Sequence, residues 1–157
     1  MANITNTYAT AASVTITVDS LASDASLLAG RQSASIDFTA ANYQRVQFGG
    51  TIVTGSSATA GSTINVWLVW RKPDGTWPDG FSTSDANRSV YSQDQLSSYG
   101  IPLASMIVTA TASRAYSFNA IVDALPAVAA IFAVHNTGAA LAASGNSIGY
   151  QGQISGY

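Results

Sequence analysis

Apolar and polar residues alternate along much of this chain with the period of two that marks strands with one buried face. Val14, Ile16 and Val18 are separated by Ser13, Thr15 and Thr17, which predicts a strand over 13–18. Ser33 to Phe38 alternates again, and Gln44 to Val53 predicts a longer strand whose Gly49-Gly50 pair points to a bulge or corner. Thr63 to Arg71 is the clearest case: Ile64, Val66, Leu68 and Trp70 share one face, Asn65, Trp67, Val69 and Arg71 the other. Both faces carry large apolar groups, so one covers the core and the other is covered by something else, with Trp70 on the core side. Ile107 to Thr111, Arg114 to Val122, Val128 to His135 and Ser147 to Ser155 complete a set of about eight strands.

Between them lie Pro73-Asp74-Gly75, Pro78-Asp79-Gly80, Asn136-Thr137-Gly138 and Gly145-Asn146, all turn formers. Asp19 to Gly30, with Leu21, Ala25 and Leu28 at helical spacing, reads as a short helix or an ordered loop. With no long helical period, the chain is predicted to be all-β. The expected fold is a two-sheet β-sandwich of jelly-roll or Greek-key type, with a closed β-barrel as the alternative. Residues 13–157 form the expected single domain, preceded by a flexible N-terminal arm over 1–12. A long polar loop over 72–99 holds Asp74, Asp79, Asp85 and Asp94 together with Trp77, Phe81 and Tyr91. Loops of that length in small domains are usually functional or disordered, and aromatic content favours function.

Composition sharpens this picture. Only 9% of the 157 residues are charged, against about a quarter in an average domain. There is no glutamate, no cysteine, one lysine and one histidine, and Ala, Ser and Thr fill the gap. Catalysis needs ionisable groups that can be tuned, so an enzyme is not expected. The net charge of −2 and scattered arginines argue against nucleic-acid binding. The amino terminus lacks a basic start and apolar core, so no secretory signal is expected. The longest apolar stretch, Ile121 to Val134, is broken by Asp123 and Pro126 and is too short for a bilayer, so no membrane partner is expected.

His135 lacks companions for catalysis or metal binding and is read as a hydrogen-bonded structural residue. The eight aspartates could in principle supply a glycosidase pair, or Asp74, Asp79, Asp85 and Asp94 a calcium site. Turn chemistry is the plainer reading, because the alternating-aspartate calcium loop is missing. No cofactor is expected. Trp67, Trp77, Phe81 and Tyr91 remain as candidate partner-binding residues, for a sugar ring or for the low-charge centre of a protein interface.

Nearly uncharged strands such as Val128–Val134 and Ser147–Ser155 lack the lysines and prolines that guard free sheet edges, which favours a permanently assembled subunit. On this reading the arm Met1–Ala12 adds itself to a neighbouring sheet. The runs Leu21-Ala22-Ser23-Asp24-Ala25-Ser26-Leu27-Leu28-Ala29-Gly30-Arg31-Gln32-Ser33 and Phe132-Ala133-Val134-His135-Asn136-Thr137-Gly138-Ala139-Ala140-Leu141 resemble segments of small virion structural proteins of tailed bacteriophages. So does the Val66-Trp67 strand leading into a Pro-Asp-Gly loop. The resemblance implies a head decoration (cement) protein, often trimeric, made in the host cytoplasm and bound to the major capsid protein on the outer capsid surface. A tail or neck component, or a carbohydrate- or receptor-binding module, is the alternative.

Overall fold

The computed structural model of the chain describes residues 5–156. In chain order its strands are β1 (Thr5–Tyr8), β2 (Ala12–Ser13), β3 (Ala29–Gln32), β4 (Ile36–Asp37), β5 (Arg45–Val53), β6 (Thr63–Trp70), β7 (Ala86–Ser89), β8 (Gly100–Ile107), β9 (Ala115–Asp123), β10 (Val128–His135) and β11 (Ser147–Gly156). Among the described residues a single short helix, α1 (Gln93–Ser98), lies between β7 and β8. One antiparallel sheet has the order β1-β11-β5-β9, with β2 beside β1 on the same flank of β11. The other has the order β7-β3-β10-β6-β8, with β4 extending β3 along β10.

The two sheets stack as a β-sandwich and do not close into a barrel. Taking β1 with β2 and β3 with β4 as interrupted strands, and β7 as an addition outside β3, leaves eight strand positions. Numbered along the chain, the sheets then run 1-8-3-6 and 2-7-4-5. That is the jelly-roll order of two interlocked Greek keys.

The core lies between the sheets. Val46, Phe48 and Ile52 of β5, Val122 of β9 and Ile148 of β11 meet Ile64, Val66 and Leu68 of β6 and Ala129, Ile131 and Ala133 of β10. Phe38, Phe48 and Tyr150 close one end, with Phe38 edge-on to both other rings. Strand β10 is buried at every position, because a second apolar cluster covers its other face. A strand covered on both sides reads as a continuous apolar run, which is what Val128–Val134 is.

Several expectations are corrected. Residues 5–8 and 12–13 are not a free arm: they pair with β11 of their own chain, in the register Tyr8 with Gln153 and Ala12 with Tyr150. Met1–Ile4 lie outside the described residues. The alternation over 13–18 is real in burial, with Val14 and Val18 in the core, but it makes no continuous ladder. The segment crosses between the sheets, its Val14 N–H donating to the Ile148 carbonyl of one and its Thr15 carbonyl accepting from Ala34 N–H beside the other. The strand expected over 33–38 is interrupted for the same kind of reason. Ser33 exchanges bonds with Ile131 through its own N–H and its Oγ, the latter accepting from Ile131 N–H at 2.8 Å, so a side chain replaces one rung between β3 and β4.

Gly49-Gly50 makes no bulge, since β5 keeps unbroken register with both β11 and β9. Glycine is required there by close approach. A Cβ on Gly50 would lie 2.3 Å from the Ser147 carbonyl oxygen, and the Phe118 ring of β9 fills the space a side chain would take. Ala29 and Gly30 begin β3, and Asp19–Leu28 is an ordered loop without helix. Its Asp24 carboxylate accepts from the N–H groups of Leu28 and Ala29, both at 2.7 Å. The strand expected over 107–111 instead runs from Gly100 to Ile107. Trp70 is half-buried and packs with the second cluster rather than the central one.

Candidate functional site

Residues 72–99 are a folded flap rather than an open loop, and they cover the outer face of β3, β10 and β6. Two turns begin it. In the first, Asp74 Oδ1 accepts from the N–H and hydroxyl of Thr76, at 2.8 and 2.7 Å, which holds its carboxyl below the ordinary carboxylate value. In the second, Pro78 accepts from Phe81 N–H across Asp79 and Gly80, both at positive φ (44° and 69°). Asp79 then ties the turn to the rest of the flap, accepting from the Tyr99 hydroxyl and from Gln95 Nε2. Burial, with the neighbouring Asp79 charge, pushes the Tyr99 phenol far above its ordinary range.

The flap is anchored apolarly by Phe81. Its ring is 5% exposed and sits edge-on to Phe132 of β10 at 5.4 Å and to Tyr99 at 6.2 Å. Val69, Val90, Leu96, Tyr99 and Val134 complete the cluster. The short helix α1 exists to deliver Leu96. Ser92 caps it by accepting from Gln95 N–H, and Leu96 is fully buried.

A polar clamp fixes the far side. Gln32, fully buried at the end of β3, donates to the Ser82 carbonyl and accepts from Ser82 N–H at 3.0 Å, so one side-chain amide imitates a pair of ladder bonds. Arg88 of β7 braces it, its Nε donating to Gln32 Oε1 and its Nη2 to Ser82 Oγ. Next to it, Arg31 Nε lies 2.5 Å from Asp85 Oδ1, and Asp85 also accepts from Thr17 Oγ1. These bonds hold the Asp85 carboxyl below its ordinary value against the opposing effect of burial.

The sequence candidates therefore have different fates. Phe81 is interior and offers no surface to a partner. Trp67, opposite Phe132 on β6, and Trp77 in the flap are half-buried, and each keeps an indole N–H buried without a protein partner. Asn65 Oδ1, two residues before Trp67 on the same face, is a third such atom. Tyr91 is 79% exposed. Asp74, Asp79, Asp85 and Asp94 do not converge, and among the described residues no three His, Cys, Asp or Glu side chains gather as a metal site would need. His135 is buried between Thr137 Oγ1 and the Leu21 carbonyl, both at 3.0 Å, and burial lowers its pKa. Among the described residues, no helix is long and apolar enough to cross a membrane.

Two surface features escaped the sequence reading. A cleft of about 440 Å³ lies between the 17–24 segment and β3 and β7, beside the already partnered Arg31 and Arg88. The larger feature is the outer face of the β1-β11-β5-β9 sheet, which no flap among the described residues covers. Gln153, Arg45 and Asp123 form one row across it, Gln151, Gln47 and Ile121 the next, and Gly149, Gly49 and Asn119 a third. The Arg45–Asp123 pair, at 2.6 Å, supplies the charge in these rows. A shallow groove of about 370 Å³ crosses the face, floored by Gly49 and Gly149 and flanked by Gln47, Gln151 and Ser13. The alternating polar positions signalled an outward face, but which strands adjoin is set by the jelly-roll wrapping.

Comparison with protein-family models and with curated proteins finds no match to this chain.

Proposed function

We propose that this chain is a bacteriophage virion structural protein, a capsid decoration (cement) subunit that binds the outer surface of the head and stabilises it by bridging neighbouring major capsid proteins. The observation that carries the reading is the uncovered outer face of the β1-β11-β5-β9 sheet. It is broad and made mostly of amides, hydroxyls and glycines, with the exposed Ile121 and one charge pair in its rows. Depletion of charge characterises the centres of protein interfaces. A jelly-roll sandwich with its own two apolar clusters can fold before it docks, and this architecture serves in viral capsids and lectins alike.

Such a subunit works by binding energy alone. Each copy spanning a seam stabilises the assembled shell by mass action, since opening the shell requires releasing the copy. The subunit needs no cofactor, nucleic acid or membrane. A face with few charges predicts attachment that survives about 1 M salt, where the screening length is only ~3 Å. Co-sedimentation of the protein with phage heads in low and high salt tests this: retention at both is expected, and release at high salt would contradict it.

The glycine-floored groove favours a second reading, a carbohydrate- or receptor-binding module. Gln47 and Gln151 would orient a sugar through their amides. Glycan binding by the isolated protein that is lost in Gln47→Ala would select this reading over the first.

A further inference from the structure

We infer that β9 is a self-pairing edge, and that two copies of this chain join through it across a two-fold axis, making one continuous sheet from two. The sandwich has four edge strands, and three are guarded. The edge made of β1 and β2 is interrupted at Ala9–Ala11, and β7 is four residues long and carries Arg88. β8 contains Pro102 and a register shift opposite Val66 and Trp67. Short strands, prolines, bulges and charges are the devices that prevent edge pairing. β9 uses almost none of them: it runs nine residues, Ala115–Asp123, in unbroken register with β5, and contains neither proline nor lysine.

The direction of its free hydrogen-bonding groups follows from its pairing. Thr54 N–H donates to the Arg114 carbonyl just before the strand. In an antiparallel ladder the bonded pairs alternate, so the even-numbered residues of β9 bond to β5. The odd-numbered residues, from Ala115 to Asp123, direct their N–H and C=O groups off the edge. Their side chains are all exposed, Ile121 by 59%.

A second copy fits this edge better than an unrelated strand. With Asn119 on the two-fold axis, Asn119 faces its own counterpart, Ser117 faces Ile121, and Ala115 faces Asp123, so all five outward-bonding residues are used. On the inner face the same register sets Phe118 beside Ala120 and Tyr116 beside Val122, a large group against a smaller one each time. A two-fold contact gives a dimer, not the trimer that the resemblance to decoration proteins implies, and it does not rest on the capsid reading.

Because the chain has no cysteine, a single introduced thiol reports the register directly. In the proposed dimer Asn119→Cys places two Cα atoms about 5.5 Å apart, within disulfide reach, whereas Ser117→Cys leaves its two thiols about four residues, or ~14 Å, out of reach. The expected result is a dimer of the unmodified chain by sedimentation equilibrium. On oxidation, covalent dimer should be the main species for Asn119→Cys and a minor one for Ser117→Cys. Asn119→Lys, which sets two ammonium groups opposite each other, should give a monomer with an unchanged circular dichroism spectrum. A monomeric or trimeric unmodified chain, or equal cross-linking of the two cysteine variants, would overturn the inference. These measurements use the protein alone, so a dimer that fails to bind heads would count only against the decoration reading.

Discussion

Replacing Phe81 by alanine tests whether the flap is part of the folded core. The ring is nearly fully buried, with Phe132 of the central strand β10 beneath it and Tyr99 beside it, both edge-on. Truncating a buried phenylalanine costs about 3–5 kcal/mol, and the lost edge-on contacts fall within that range. With a urea slope of roughly 2 kcal/mol/M, the unfolding midpoint should fall by about 1.5–2.5 M. All three tryptophans, Trp67, Trp70 and Trp77, pack in or against the flap's cluster, so fluorescence follows the flap while far-ultraviolet circular dichroism follows the sheets. Both should shift together in Phe81→Ala, since Phe132 shares a strand with the inter-sheet core. A loss below about 1 kcal/mol would show that Phe81 is not the anchor. A fluorescence transition well separated from the dichroism transition would show that the flap opens by itself.

Gly50→Ala should destabilise the protein by about 1–3 kcal/mol in chemical denaturation, because the new methyl meets a backbone carbonyl rather than a yielding side chain; an unchanged midpoint would contradict the packing described. The His135 pKa is lowered in the folded protein by burial, so its contribution to stability is fully present above about pH 6.5 and is lost as pH falls below that towards the folded value. The melting temperature should therefore drop between pH 7 and pH 5, and do so less in His135→Gln; a rise over that range would refute the assignment. Asp24, lowered by the Ala29 and Leu28 N–H groups, acts with the same sign at more acid pH, below about 4. Tyr91→Ala should change stability by less than about 0.5 kcal/mol, since the side chain is exposed, and a larger loss by calorimetry would show an undetected packing role.

The sandwich was legible because its central strands are ordinary. β6 sets Ile64, Val66 and Leu68 at alternating positions on the core face, and β10 is apolar from Val128 to Val134 because both of its faces are covered. What the alternation could not reveal is whether a buried segment makes a ladder. Val14–Val18 alternates while crossing between sheets, and Ser33 substitutes a hydroxyl for a rung, neither of which changes the hydrophobic pattern. β8 lies earlier than the strand expected over 107–111, and it includes Gly100 and Pro102, which an edge strand tolerates.

The stretch 72–99 is polar in sequence, yet it contains β7 and α1 and folds around an apolar interior that the pattern does not show. Phe81 resembles Tyr91 in sequence context, and only the packing against Phe132 separates an anchor from an exposed ring. The Gln32–Ser82 clamp joins residues far apart in the chain with no local signature. The low-charge outer face was foreshadowed by composition, but which strands carry it depends on the jelly-roll order.

The most direct test of the proposed role is immuno-electron microscopy of phage particles with antibody raised against this chain. Regular labelling over the outer surface of the head is the predicted result; labelling confined to the tail, or no labelling of particles, would contradict a capsid decoration subunit.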